Sequence, residues 1–320
     1  MGRRSRHRRT RCRRRPAGRA RTAHHRLRRF AKLTWTRRVA GLLGRFNAWR
    51  RQRVLGRNAI DDALWSELTA SLDLLAGMSA AELAELRELT ALLDGAKRFS
   101  GAHDFVVDAR VRVTILAQAA VLILGRPKVG LDPFPGWLSV IVYPGAFLAH
   151  RVWVDDAGVE HHTAYPADGE TSDFGPVLIS WDDARPGARD TGTGRNVVVH
   201  EFAHQLDFAN TWGDGYPILP RGMSPARWSE VWINAFDRFR ASLGQPGRAA
   251  FDPYAASAPA EFFAVLSEAF FLRPDTLHAA FPDVFEQLLV YYNQDPRPRR
   301  GLATAQRSQP RPHGPLRWAR

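Results

Sequence analysis

The chain has 320 residues, of which 45% are hydrophobic and 24% charged. That balance supports a sizeable core and excludes a wholly disordered, collagen-like or coiled-coil chain. The formal charge of +14 is unevenly placed, since residues 1–60 hold 22 of the 46 Lys and Arg and none of the 32 Asp and Glu, leaving a net −8 on the rest. The one cysteine, Cys12, lies in the basic stretch, so an intrachain disulfide and a cysteine-built metal site are both excluded.

Residues 1–29 are Arg-rich with few large apolar side chains, a composition that cannot offset the entropy of ordering and predicts disorder. From Phe30 to Leu55, apolar residues recur near helical spacing among arginines. This is a basic amphipathic helix that either packs on the domain or meets nucleic acid or an acidic lipid surface. Residues 1–55 are therefore read as a basic tail, disordered to partly helical. Arg37, Arg38 and Arg45 interrupt the only candidate export segment, Leu33–Phe46. The longest apolar run, Val113–Gly125, is about 13 residues against the roughly 20 that span a bilayer. No transmembrane segment is expected, and a cytoplasmic protein is.

Acidic amphipathic segments over Asp61–Leu75 and Ser79–Leu93 predict two helices, the second opened by a Ser79/Glu82 capping box. Residues 104–125 read as an apolar helix. Beyond the Pro- and Gly-rich loop at 127–136, the β-branched and aromatic runs Trp137–Tyr143 and Pro176–Trp181 read as strands. Between them His161, His162 and residues 168–173 read as a hydrophilic hairpin or loop. After the Gly-rich stretch 187–194, Asn196 is a good N-cap for a buried helix VVVHEFAHQLDFA. Further helices are signalled at Ser224-Pro225 and near Pro259. From Pro296 onward the chain is Arg-, Pro- and Gln-rich and is expected to fray. The folded part is thus 56–296, with a flexible basic tail over 297–320.

His200, Glu201 and His204 form H-E-x-x-H. Residues four apart share a helix face, so both imidazoles reach one metal ion, while Glu201 is offset by about 100° beside the open coordination position. Chance supplies this pattern in such a chain with a probability on the order of 1%. The bland alternative is a pair of satisfied core histidines. Two imidazoles suit Zn²⁺, and a catalytic site adds one more protein ligand and leaves room for water. The metzincin pattern is excluded, because its later glycine and histidine positions hold Asp207 and Asn210. A third ligand is expected from a later helix, PAEFFAVLSEAFF, where Glu261 stands among apolar neighbours that make an unpaired anion costly. Glu268, on the same face, competes for the role and is placed behind the ligands, because Glu261 begins the helix after Pro259. An exposed Glu261 stabilised by the helix dipole is the alternative. Asp207, three residues after His204, either orients a ligand imidazole or ends the helix.

HEFAHQLD together with DPYAASAPAEFFAVLSEAFF resembles the MtfA family of zinc metallopeptidases, the glucose-regulated group, and more remotely the catalytic domain of anthrax lethal factor. VIVYPGAF at 140–147, GPVLISW at 175–181 and GYPILP at 215–220 agree, so the resemblance covers roughly residues 60–295. It implies an α+β, zincin-like metallopeptidase domain with a helical N-terminal portion. It implies zinc on His200, His204 and Glu261, catalysis by Glu201, and a second catalytic role for Tyr254, seven residues before the third ligand. Lethal factor has a further acidic residue four positions after that ligand, where this chain has Val265.

With Glu201 as general base and Tyr254 donating to the oxyanion, the activity the resemblance implies is peptide hydrolysis, aminopeptidase-like or on short peptides. Val177–Trp181 is expected to be the edge strand that reads the substrate backbone. The resemblance also implies a link to a transcriptional repressor of the Mlc type. A rival reading therefore makes the chain a protein that sequesters such a regulator, with zinc mainly structural. A third makes the basic tail a non-specific nucleic-acid binder.

Overall fold

The computed structural model describes residues 48–126, 132, 134–154, 160–167, 169–171, 175–186, 194–210, 213–244 and 250–300. The tail expectations for residues 1–47 and 301–320, and the Gly-rich stretch 187–193, lie outside them. The chain divides between Arg50 and Arg51 into two units, and the elements below all belong to the second.

The N-terminal portion is helical, as its acidic amphipathic pattern predicts. Helix α1 (Asp62–Ser71) is capped by Asp61, whose carboxylate accepts from the Leu64 amide at 2.9 Å. Helix α2 (Ala80–Ala96) opens with the expected capping box: Glu82 accepts the Ser79 amide at 2.7 Å and the Ser79 hydroxyl accepts the Glu82 amide. Helix α3 (Ala109–Val121) is shorter than the apolar run that announced it. Its start is set by the Asp108 cap, after His103 and Asp104 turn the chain with positive φ. Ten of its thirteen residues are buried, which explains the absence of a polar face in its sequence.

A small sheet follows: β1 (Arg98–Gly101), β2 (Ser139–Tyr143), β5 (Gly169–Glu170) and β6 (Val177–Ser180), in the order β1-β2-β6-β5. The first three neighbours are parallel and β5 is antiparallel to β6, with Gly169 opposite Ile179. Val140 and Val142 of β2 and Val177 and Ile179 of β6 are buried between the sheet and its helices. The edge assignment made from sequence is therefore corrected. β6 is interior, and the edge on that side is the two-residue β5, too short and too glycine-marked to read as a strand. Between β2 and β5 runs an antiparallel hairpin, β3 (Phe147–Val154) with β4 (Glu160–Ala167). The expectation of a hairpin around His161 and His162 finds its backbone there.

Lys97 joins the helical portion to the sheet. Its side chain is fully buried, and its ammonium donates to Asp132 Oδ2, Phe134 O and Trp137 O, each at 2.7 Å, while standing 4.1 Å from the Trp137 ring centre. Three acceptors and an aromatic face satisfy a charge that burial would otherwise expel.

The C-terminal half is a helical pack. After the short α4 (Trp181–Ala184) come α5 (Val197–Asp207), α6 (Pro225–Ser242), α7 (Pro259–Leu272), α8 (Pro274–Ala280) and α9 (Pro282–Tyr292). Each of the last four begins with proline, whose missing N–H is no loss in a first turn. Their core is aromatic: Trp228 and Trp232 stack at 4.9 Å, Trp232 meets Phe262 edge-on at 5.9 Å, and Phe270 stacks on Tyr292 at 5.4 Å. The chain remains folded past Pro296, contrary to the fraying expected from composition. Residues 297–300 are helical, Arg299 pairs with Glu82, and Arg300 donates to Phe271 O at 2.9 Å and Asp73 O at 3.0 Å. Their guanidinium groups find carboxylate and carbonyl partners that composition does not reveal. No helix among the described residues is long and apolar enough to cross a membrane.

Replacing Lys97 by Met leaves buried carbonyls unpaired, and by analogy with broken buried pairs is expected to cost about 3–5 kcal/mol in urea unfolding. For Glu82, burial opposes ionisation, yet the Ser79 amide and hydroxyl and Arg299 hold its carboxyl below the ordinary 4.5. A depressed folded pKa gives stability that is present above 4.5 and lost as pH falls through the folded value. Glu82→Gln is therefore expected to melt below the parent at pH 7, with the gap closing in thermal melts run at progressively more acid pH.

Candidate metal centre

The motif helix is held in place by its first turn. Asn196 caps α5 by accepting the Val199 amide at 2.8 Å, and its side-chain amide donates to Gln118 Oε1 at 2.7 Å on α3. Val198, Val199, Phe202 and Ala203 are buried. That apolar anchoring turns His200 and His204, one turn apart, toward the start of α7, where Pro259 places Glu261 in the first turn.

Three donor atoms converge. His200 Nε2 lies 3.1 Å from Glu261 Oε2 and 3.2 Å from His204 Nε2, and His204 Nε2 lies 3.3 Å from Glu261 Oε2. Ligands at about 2.0–2.2 Å from a tetrahedral ion stand roughly 3.3–3.6 Å apart, so the triangle fits a zinc-sized ion to within a few tenths of an ångström. This is the group of His, Cys, Asp and Glu side chains able to hold a metal among the described residues. Glu268 lies on the far side of the His200 ring from Glu261: its Oε1 accepts from His200 Nδ1 at 2.8 Å, and its Oε2 accepts the Asn196 main-chain amide. With the Nδ1 proton committed to Glu268, it is Nε2 that faces the shared point, and its lone pair would be free for an ion once the proton there is given up.

The electrostatics express a demand for positive charge. Burial disfavours a charged His200, but Glu261 and Glu268 hold its pKa well above the ordinary value. Burial likewise raises Glu261, and the two imidazoles override it and hold the carboxyl well below the carboxylate range. Glu201, almost fully buried, is pushed up to about 8 by burial, with His200 opposing and Glu261, Glu268 and Glu170 adding repulsion. Its side chain lies against the edge strand: a Cβ on Gly169 would stand 2.6 Å from Glu201 Oε1. The next polar contact along the same helix face is from Gln205 to the Thr171 hydroxyl. Sequence reasoning missed Gly169 and this pair; a glycine beside a strand was the available sign of close backbone approach.

Tyr254 sits on a short 3-10 turn, Pro253–Ala256, with its ring centre 6.4 Å from that of His200 and 54% of its surface exposed. It flanks the centre from the solvent side. Asp207 is the last residue of α5 and fully buried. It does not hydrogen-bond to either imidazole, contrary to one of its two sequence readings: Oδ2 accepts the Gly215 amide at 2.7 Å, and Oδ1 has no hydrogen-bond partner. Burial pushes its pKa up to about 6, opposed by the Gly215 and Tyr216 amides.

Comparison with known proteins finds relatives over most of the chain. The chain is 34% identical over 191 residues to Mlc titration factor A of Pectobacterium atrosepticum, covering 59% of this chain and 69% of that protein. It is 30% identical over 263 residues to the protein of the same name from Salmonella typhi, covering 81% and 95%, and 31% identical over 258 residues to that from Escherichia coli O9:H4, covering 78% and 92%. Residues 46–293 match the family described as glucose-regulated metallo-peptidase M90, and the chain belongs to that family.

Proposed function

We propose that this family member is a zinc-dependent peptidase, aminopeptidase-like in its preference for short peptides, in which His200, His204 and Glu261 would hold the ion. The observation that carries the reading is the triangle of donor atoms, 3.1–3.3 Å on a side, with Glu201 beside it. Bound there, Zn²⁺ would supply Lewis acidity, polarising a peptide carbonyl and lowering the pKa of water towards about 7.

The remaining work falls to the side chains. Glu201 takes the proton from the attacking water and passes it to the leaving amine, a role suited to a buried carboxylate standing beside the donor triangle and against Gly169. Glu268 fixes the tautomer and ring orientation of His200. Tyr254, exposed and on a short turn, donates its phenol to the oxyanion once substrate is seated. A peptide lies antiparallel along β5, so its main chain is read at the level of Gly169, next to Glu201.

A second reading rests on the relatives' name, Mlc titration factor A: the chain binds a transcriptional regulator of that type and acts by sequestration. The two are separated by one substitution. Glu201→Gln is expected to retain zinc in metal analysis while kcat/KM on aminoacyl and longer fluorogenic peptides falls by about 10²–10⁴. A parent that holds zinc and cleaves none of these peptides would favour sequestration, for which Glu201 is dispensable. Tyr254→Phe is expected to lower kcat by about 10²–10³ with little change in KM, as for loss of one oxyanion donor.

A further inference from the structure

We infer that Asp207 is a positioning residue that sets the spacing between the two helices supplying the metal ligands. The inference rests on the metal-centre reading above and extends it to a group that touches neither the ion's ligands nor the substrate.

The two histidines and Glu261 belong to helices joined by more than fifty residues of chain, so their convergence must be enforced locally. At the C-terminal end of α5 the fully buried Asp207 accepts the Gly215 amide at 2.7 Å. Gly215 has a φ of +77°, and its α-carbon faces the start of α7 so closely that a Cβ would stand 2.5 Å from Pro259 O and 3.3 Å from the Ala260 amide nitrogen. Glu261 follows directly. A continuous set of contacts therefore runs from His204, through Asp207, the Gly215 backbone and Pro259, to Glu261. Asn210 adds a second hold on the same loop by donating to Tyr216 O.

The chemistry of the tie suits the task. A buried carboxylate gripping a backbone amide is stiffer than apolar packing, because releasing it would strand two polar groups away from water. Glycine at 215 is required on both counts, by its positive φ and by the contact with Pro259. A metal site tolerates ligand displacements of about 0.2 Å, so a tie of this kind governs affinity for the ion directly.

The test measures zinc affinity by competition with a fluorescent chelator, alongside thermal melts of the metal-free proteins. Asp207→Ala and Gly215→Ala are each expected to weaken zinc binding by about 10- to 100-fold, the range found when groups supporting metal ligands are removed. Asp207→Asn, which keeps an acceptor for the Gly215 amide, is expected to stay within about threefold of the parent. Leu86→Ala, a cavity in α2, serves as the stability control and is expected to lower the melting temperature without moving zinc affinity. Parental affinity in Asp207→Ala, or a loss matched by Leu86→Ala, would overturn the inference while leaving the metal reading intact. A parent without zinc affinity would overturn both.

Discussion

A point rich in carboxylates and largely withdrawn from water is the constraint on which this structure turns. Glu201, Glu261 and Glu268 meet within reach of His200, with Glu201 and Glu268 buried. Such a cluster is stable only if cations or protons neutralise it. Burial raises Glu201 and neighbouring carboxylates add to it, while against burial the carboxylates raise His200 and the two imidazoles lower Glu261. A divalent ion held by His200, His204 and Glu261 would supply positive charge there. The same surroundings strengthen every electrostatic interaction once the site is closed to solvent.

The candidate site residues were legible because they break the local pattern. Two histidines and a glutamate in an apolar helix, and a glutamate at the head of a Phe-rich one, stand out from their neighbours, and His200, His204 and Glu261 come together in the fold. Capping boxes and proline starts were equally readable: Ser79, Asn196, Pro225 and Pro259 all open helices where their types predict. Glu268 was read behind Glu261 because Glu261 begins the helix after Pro259, and its hydrogen bond to His200 Nδ1 needed the structure.

The remainder was hidden because it depends on partners far away in sequence. Strand β1 is four residues with mostly exposed side chains, defined by pairing with β2 rather than by any alternation of its own. Strand β5 is shorter still, which is why β6 was mistaken for the edge. Lys97 looks like an ordinary helix-ending lysine until its three carbonyl and carboxylate acceptors are seen, 35 to 40 residues on. One of the two readings of Asp207 turned it toward an imidazole because spacing along one helix is all that sequence displays; it ends the helix, as the other reading had it, and its bond crosses to a loop.

The pairing of Arg299 with Glu82 links residues 217 positions apart. During synthesis the N-terminal helices emerge long before that guanidinium exists, so α2 must wait with its capping carboxylate lacking one of its final partners while the sheet and the motif helix are made. The helical layer thus gains its last charged partner only when the C-terminal pack is complete. A nascent chain halted after α7 would hold all three metal ligands yet lack the buckle that closes the body around them.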